Sequence, residues 1–136
     1  MDDLHRVDTE AFGDIAYSLP TLRQLVEVGG ECCIVADDSG SVVGYGIALI
    51  SPSRDRSWLL SLGVLSRAKG QGIGRRLTET LLDILRGLAV PSVWLTVEPG
   101  NMPAVSLYRS LGFTEKERRD DYFGPGESRI VMTLSL

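Results

Sequence analysis

One amphipathic helix set between two strands limits the fold more than any other feature of this sequence. Ile73, Leu77, Leu81, Ile84, Leu85 and Leu88 recur at helical spacing and form a single apolar stripe, with Arg75, Arg76, Glu79, Asp83 and Arg86 off it. Trp58 to Val64 before the helix, and Val93 to Val97 after it, read as strands, the second entered through Pro91. A strand–helix–strand unit puts its two strands parallel in one sheet, because the crossover helix returns the chain to the same edge.

The other elements read as antiparallel. Leu4 to Phe12 and Leu19 to Val28 carry apolar residues at mixed helical spacings, and Gly29-Gly30 ends the second of these helices. Glu31 to Ala36 reads as a strand, Asp37-Asp38-Ser39-Gly40 as a turn, and Val42 to Ile50 as the returning strand of a hairpin. After Val97, Asn101 caps a helix whose stripe is Ala104, Leu107, Tyr108 and Leu111, and Gly112 stops it. Phe113 to Glu117 and Ser128 to Leu134 are the last strands, joined by a loop, Asp120 to Gly126, long enough to be functional. The expectation is a mixed α/β (α+β) domain, mainly antiparallel, with helices covering the sheet.

With 136 residues, 43% hydrophobic and 24% charged, the chain fits one globular domain, residues 1–136. No apolar run nears the roughly 20 residues of a membrane span, and the acidic start Met1-Asp2-Asp3-Leu4 lacks a signal peptide's basic and apolar regions. A cytoplasmic protein with no membrane partner is expected. The net charge of −4 argues against nucleic acid, but Arg67, Lys69, Arg75 and Arg76 crowd one run of glycines. A basic spot on an acidic chain suits a small polyanion. Cys32 and Cys33 are adjacent, so on a strand they point to opposite faces and form no good disulfide. With His5 the only histidine, neither a metal site nor a Cys–His nucleophile is expected.

The basic spot surrounds Lys69-Gly70-Gln71-Gly72-Ile73-Gly74-Arg75, at the head of the long helix. First-turn amides have no helical acceptor, the helix dipole favours an anion there, and glycines let a phosphate come close. A nucleotide P-loop would need Gly-Lys-Ser/Thr, whereas Gly74 is followed by Arg75-Arg76-Leu77. A dinucleotide fingerprint would open directly after the strand; here Leu65 to Lys69 intervene, and only Ile73 separates Gly72 from Gly74. The remaining readings are a pyrophosphate cradle and a glycine-rich helix entry with solvated arginines.

A second block decides between them. Asn101, Ala104, Leu107, Tyr108, Gly112 and Phe113 follow the glycine segment in an Asn-x-x-Ala-x-x-Leu-Tyr-x-x-x-Gly-Phe pattern. Together with Leu62-Gly63-Val64, Lys69, Gly72 and Gly74, this resembles the GNAT superfamily of acyl-CoA-dependent N-acyltransferases over roughly Trp58 to Leu134. The tail from Arg119 to Met132 is similar to the ribosomal-protein alanine N-acetyltransferase branch. The resemblance implies a three-layer domain, with one parallel strand pair splayed around the cofactor and helices on both faces. The family's usual first strand is absent from this reading, since the chain opens at a helix.

The resemblance also implies roles. Lys69, Gly70, Gln71, Gly72, Ile73, Gly74 and Arg75 would bind the CoA pyrophosphate, and the backbones of Leu62, Gly63 and Val64 the pantetheine arm, with Gly63 either the site of a bulge that exposes an N–H or a close-packed sheet contact. Asn101 would hold the cofactor arm, cap its helix, or both. Tyr108 would be the general acid for the departing thiolate, against the alternative of a core residue. Thr96 occupies the position where the alanine N-acetyltransferase branch has a glutamate base, and threonine takes no proton at neutral pH. Glu98, two residues on and so on the same strand face, is the candidate base, acting through water. An α-amine, with pKa ~7.7–8.0, needs less help than a lysine near ~10.4, which favours a low-pKa acceptor, either a peptide N-terminus or a small-molecule amine. Thr96, Tyr122 and Phe123 would contact the acceptor, the aromatics receiving a cationic amine or else lying in a solvated turn, while Trp58 reads as core or rim packing before a further aromatic wall. Acetyl-CoA is the expected co-substrate, with no metal, and a second copy of the chain is kept as a candidate partner. The competing function is a non-catalytic acyl-CoA sensor, which Thr96 would suit and Tyr108 would not.

Overall fold

The protein is described by a computed structural model covering residues 1–136. Its elements are α1 (Asp2–Phe12), α2 (Leu19–Gly29), β1 (Cys33–Asp38), β2 (Ser41–Ile50), β3 (Ser57–Val64), α3 (Ile73–Gly87), β4 (Ser92–Val97), α4 (Met102–Ser110), β5 (Thr114–Arg119) and β6 (Arg129–Ser135). One six-stranded sheet runs β1-β2-β3-β4-β6-β5. Every pairing is antiparallel except β3 with β4, as the crossover through α3 requires. The last hairpin folds back so that β6, not β5, lies against β4.

The sheet's two faces have separate cores. On one, Val43, Tyr45 and Ile47 of β2 meet Leu4 and Val7 of α1 and Leu22 of α2. On the other, Leu81, Leu82 and Leu85 of α3 and Val105 and Tyr108 of α4 pack over Leu95, Val97, Ile130 and Met132. Each such aliphatic side chain contributes about 1.5–3 kcal/mol when fully withdrawn from water. Helix α3 seats directly on the backbone of β2. A Cβ at Gly46 would come 2.8 Å from Leu81 Cδ1, and one at Gly44 would come 3.2 Å from both Ile73 Cγ2 and Leu77 Cδ1.

The first hairpin is tighter than the sequence reading allows. Asp37 and Asp38 belong to β1, opposite Val42 and Ser41, and only Ser39 and Gly40 turn the chain. Both have positive φ, 52° and 89°. That is the two-residue hairpin geometry that follows the strands' own twist, so the carboxylates are carried into the ladder. Glu31, expected in the strand, lies in a short 3-10 turn before it.

Pairing between β3 and β4 is limited to Ser57 with Val93 and Trp58 with Trp94. Beyond these two pairs β3 keeps only β2 as a neighbour and β4 keeps only β6, so the strands diverge. The ladder shows why: Ser61 pairs with Ile47 but Leu59 with Ala48, leaving Leu60 as an extra residue that bends β3. Of the two readings of Gly63, the bulge is therefore corrected and the close-packed contact holds. Gly63 lies in regular register opposite Tyr45, and a Cβ there would come 2.7 Å from Tyr45 Cε1. Its missing side chain makes room for a ring.

Candidate functional site

A groove of about 530 Å³ opens where β3 leaves β4. Leu62 and Val64 of β3, Lys69, Gly70, Gly72, Ile73, Gly74 and Arg75 at the head of α3, and Asn101 of the α4 cap all line it. Ala11 and Phe12 of α1 close one side, Pro103, Ala104 and Leu107 of α4 another. Residues from four separate stretches of chain therefore meet at one opening.

The head of α3 is built to be left open. Leu65 and Ala68, both buried, anchor the connection, and Leu65 N–H donates to Val43 O at 2.8 Å. Gly72 then takes a left-handed conformation, φ 78°, which turns the chain into the helix. Arg76 is the first residue whose N–H finds a helical acceptor, Gly72 O at 3.0 Å, so the amides of Ile73, Gly74 and Arg75 precede the ladder. No side chain caps them and no acid lies in the first turn. By contrast Ser18 caps α2, Asn101 caps α4, and α1 begins with Asp2 and Asp3. Lys69 is exposed and makes no ion pair, and Arg75 is held by Ser110 Oγ and by Glu79 at 3.6 Å. Uncapped donors with free positive charge fit a phosphate-bearing ligand. Gln71 falls outside this groove and lines a second one, about 540 Å³, between β1 and α3.

Register fixes which backbone groups of β3 are free. Antiparallel ladders bond at alternate residues. With Leu65 bonded to Val43 and the same register continuing through Gly63 opposite Tyr45, residues 63 and 65 bond towards β2. Leu62 and Val64 therefore direct their N–H and C=O groups at the gap. Gly63 does not.

Helix α4 supplies the opposite wall. Asn101 Oδ1 accepts from Ala104 N–H at 3.3 Å, which spends one end of the amide on the cap and leaves its NH2 without a protein partner. Tyr108, one turn beyond Ala104, is 8% exposed and meets Phe113 edge-on at 5.7 Å. Burial pushes its phenol up to about 12. Its hydroxyl has no hydrogen bond within the protein, and no fully buried side-chain polar atom lacks a partner, so that hydroxyl reaches solvent. Tyr108 is a core residue with an open polar tip, outside the lining of the groove itself.

On the face away from α3 and α4, Trp94 and Thr96 follow one another along β4, and Glu98 lies just past the strand's end. Thr96 is half-buried opposite Val131; Glu98 is exposed at the strand end and makes no ion pair. Trp58 packs 5.9 Å from Trp94, whose ring carries the Arg56 guanidinium at 4.4 Å. The aromatics of the last loop are not the free cation receptors expected. Arg119 lies over Tyr122 at 5.3 Å and Arg129 over Phe123 at 5.1 Å, because β5–β6 pairing brings both arginines to the loop's base. Phe123 is still 62% exposed, but one face of each ring already has its cation. Cys32 and Cys33 are free, and burial pushes the Cys33 thiol up to about 11, so neither is an activated nucleophile. No group of three or more His, Cys, Asp or Glu side chains is gathered where a metal ion could be held.

One polar cluster escaped the sequence reading. Asp8 of α1, 0% exposed, accepts Tyr17 N–H at 2.7 Å through Oδ2 and the Tyr45 hydroxyl through Oδ1. Tyr45 Oη lies 2.6 Å from Ser61 Oγ on β3. The available signal was Asp8 itself, a carboxylate sharing the buried stripe of α1 with Leu4 and Val7.

Comparison with known proteins agrees with this geometry. Residues 1–113 match the acetyltransferase (GNAT) family. The [ribosomal protein bS18]-alanine N-acetyltransferase of Escherichia coli (strain K12) is 36% identical over 85 residues, which span 60% of this chain and 57% of that protein. The crystal structure of the ribosomal-protein-S18-alanine N-acetyltransferase from Escherichia coli superposes with a TM-score of 0.82 at 28% identity, over 96% of this chain and 84% of that one. Ard1 from Thermoplasma volcanium shares the fold at a TM-score of 0.90, with 23% identity over 99% of this chain and 90% of that one. With an uncapped glycine-flanked helix head, a splayed β3–β4 pair and a family match over most of its length, this chain belongs to the acetyltransferase (GNAT) family.

Proposed function

We propose that this chain is an N-acetyltransferase that moves the acetyl group of acetyl-CoA to a primary amine by direct attack in a ternary complex. The observation that carries the proposal is the head of α3: three amides and an unpaired Lys69 face a groove whose far wall is the unpaired edge of β3. Lys69, Gly70, Gly72, Gly74 and Arg75 would hold the pyrophosphate. The free backbone groups of Leu62 and Val64 would hold the pantetheine arm as an added strand is held, and the Asn101 NH2 would bind it from α4. The co-substrate brings an activated thioester; the protein orients it, excludes water and moves protons.

Tyr108 is the proton donor in this scheme. Held near 12, it stays protonated throughout the neutral range. A CoA-like thiol has a pKa near ~8.5, so the phenol works as a shuttle, giving its hydrogen to the departing sulfur while nitrogen's surplus proton restores it. The acceptor reaches the gap from the open face of β4, past Thr96, Glu98, Tyr122 and Phe123. A peptide α-amine fits best, because Thr96 is no base and an α-amine is partly neutral already. The matched relative's name, an alanine N-acetyltransferase acting on a ribosomal protein, supports that class.

Isothermal calorimetry with CoA and acetyl-CoA tests the reading. Micromolar binding that weakens with added salt is expected. No measurable heat with either ligand would remove its basis.

A further inference from the structure

The proposed reaction needs a place for the acceptor's proton, and neither residue named from the sequence supplies a sheltered one. Thr96 does not ionise usefully, and Glu98 stands exposed at a strand end. Asp8, by contrast, is a fully buried carboxylate without a cation: none of the protein's ion pairs includes it. Such a group is costly to keep, and holding the Tyr17 amide, its one local structural task, is one that a neutral amide could perform as well.

The hydrogen bonds have a direction. A carboxylate only accepts, so Tyr45 O–H donates to Asp8. Tyr45 Oη then receives the Ser61 hydroxyl hydrogen, the two oxygens being 2.6 Å apart, which leaves both Ser61 lone pairs without a partner in the protein. Burial first, and Asp8 next, push the Tyr45 phenol well above its usual range, and burial with Asp8 raises Tyr17 too, so both phenols stay protonated. The titratable groups around the chain are thus Asp8 from α1, Tyr17 from the α1–α2 connection and Tyr45 from β2. Ser61, 9% exposed, lies on the length of β3 that has lost β4 as a neighbour, one residue before Leu62, whose N–H and C=O face the gap.

Building on the acetyltransferase reading, we infer that Ser61, Tyr45 and Asp8 form a relay that takes the proton from the acceptor's ammonium group. One N–H hydrogen passes to Ser61 Oγ as Ser61 gives its own to Tyr45 Oη and Tyr45 gives its own to Asp8. The freed nitrogen pair forms the new C–N bond while the C–S bond breaks and its electron pair leaves on sulfur. The second nitrogen proton balances the one Tyr108 gives to sulfur. Asp8 ends with one proton, which returns to solvent by the same route after the product leaves. Ser61 touches the amine; Tyr45 and Asp8 act through it and position it.

The test uses the whole chain, acetyl-CoA and a synthetic peptide with a free N-terminal alanine, with kcat followed across the pKa of the α-amine. Ser61→Ala should lower kcat about a hundredfold on the acid side and come within about threefold of wild type once pH exceeds the amine's ~7.7–8.0. KM for acetyl-CoA should not move, and Ser61→Thr, which keeps the hydroxyl, should restore the acid-side rate. Asp8→Asn should reproduce the same pH-dependent loss; if it fails to fold, Ser61→Ala decides alone. A loss equal at every pH, or no loss at all, overturns the relay. So does a wild type that binds CoA yet acetylates the peptide at no pH, whereas absence of CoA binding overturns the underlying function instead.

Discussion

Helices α3 and α4 border the same groove and begin in opposite ways. Asn101 satisfies the first turn of α4 from within the chain, and Pro103 follows inside that turn. Helix α3 begins at a left-handed glycine with no side-chain cap and no acid. The contrast teaches that an open helix head is an available choice and not a default, since the same chain caps α2 and α4. One helix presents donors and waits for an anion; the other is complete by itself and presents a phenol. On the proposed function, binding and chemistry are carried by different helices, and variants of each should separate.

The largest separation should come from Tyr108→Phe. Loss of the phenolic hydrogen should lower kcat about a thousandfold in a thiol-release assay, while the Kd for CoA stays within about twofold by calorimetry. Because that phenol keeps its proton until pH nears 12, the wild type should show no alkaline fall in kcat from this group at lower pH. Equal losses in kcat and affinity would merge the two roles. Next, Gly74→Asp is sterically open, since an added Cβ would come no closer than 3.7 Å to Leu107 Cδ2, and it puts a carboxylate in the first turn of α3. It should weaken CoA about a hundredfold through like charge and raise unfolding stability by about 0.3–1 kcal/mol through the helix dipole. A variant that binds CoA as well as wild type would show that the open head is incidental. Smallest, Asn101→Ala should cost about 1 kcal/mol in denaturant unfolding, with a loss of CoA affinity of at most about tenfold if the NH2 contributes one hydrogen bond. An unchanged affinity would assign Asn101 to the cap alone.

What the sequence made legible was local. The stripe from Ile73 to Leu88, the glycines before it and the Asn101 cap all lie within a few turns of one another, and each follows from spacing or from an amide's need for a partner. What it hid depends on residues far apart in the chain. Gly63 suited a bulge or a close-packed contact equally, and only the register of β2, which sets Tyr45 opposite, chooses the contact. Tyr122 and Phe123 looked like open rings until the pairing of Arg119 with Arg129 put guanidiniums over them. Asp8, Tyr45 and Ser61 sit on three elements and meet only when α1 folds across the sheet. The fold was readable from periodicity; the proton path was not.

The sheet is fastened at its middle by only two residue pairs, Ser57 with Val93 and Trp58 with Trp94. The slot beyond them exists because backbone pairing between β3 and β4 stops after Trp58, where the extra residue Leu60 bends β3 away, not because particular side chains hold it apart. Its outline is thus written in main-chain geometry, and the residues bordering it can be exchanged without shutting it. A scaffold of this kind can change the molecule it modifies by repainting its walls, with the doorway left standing.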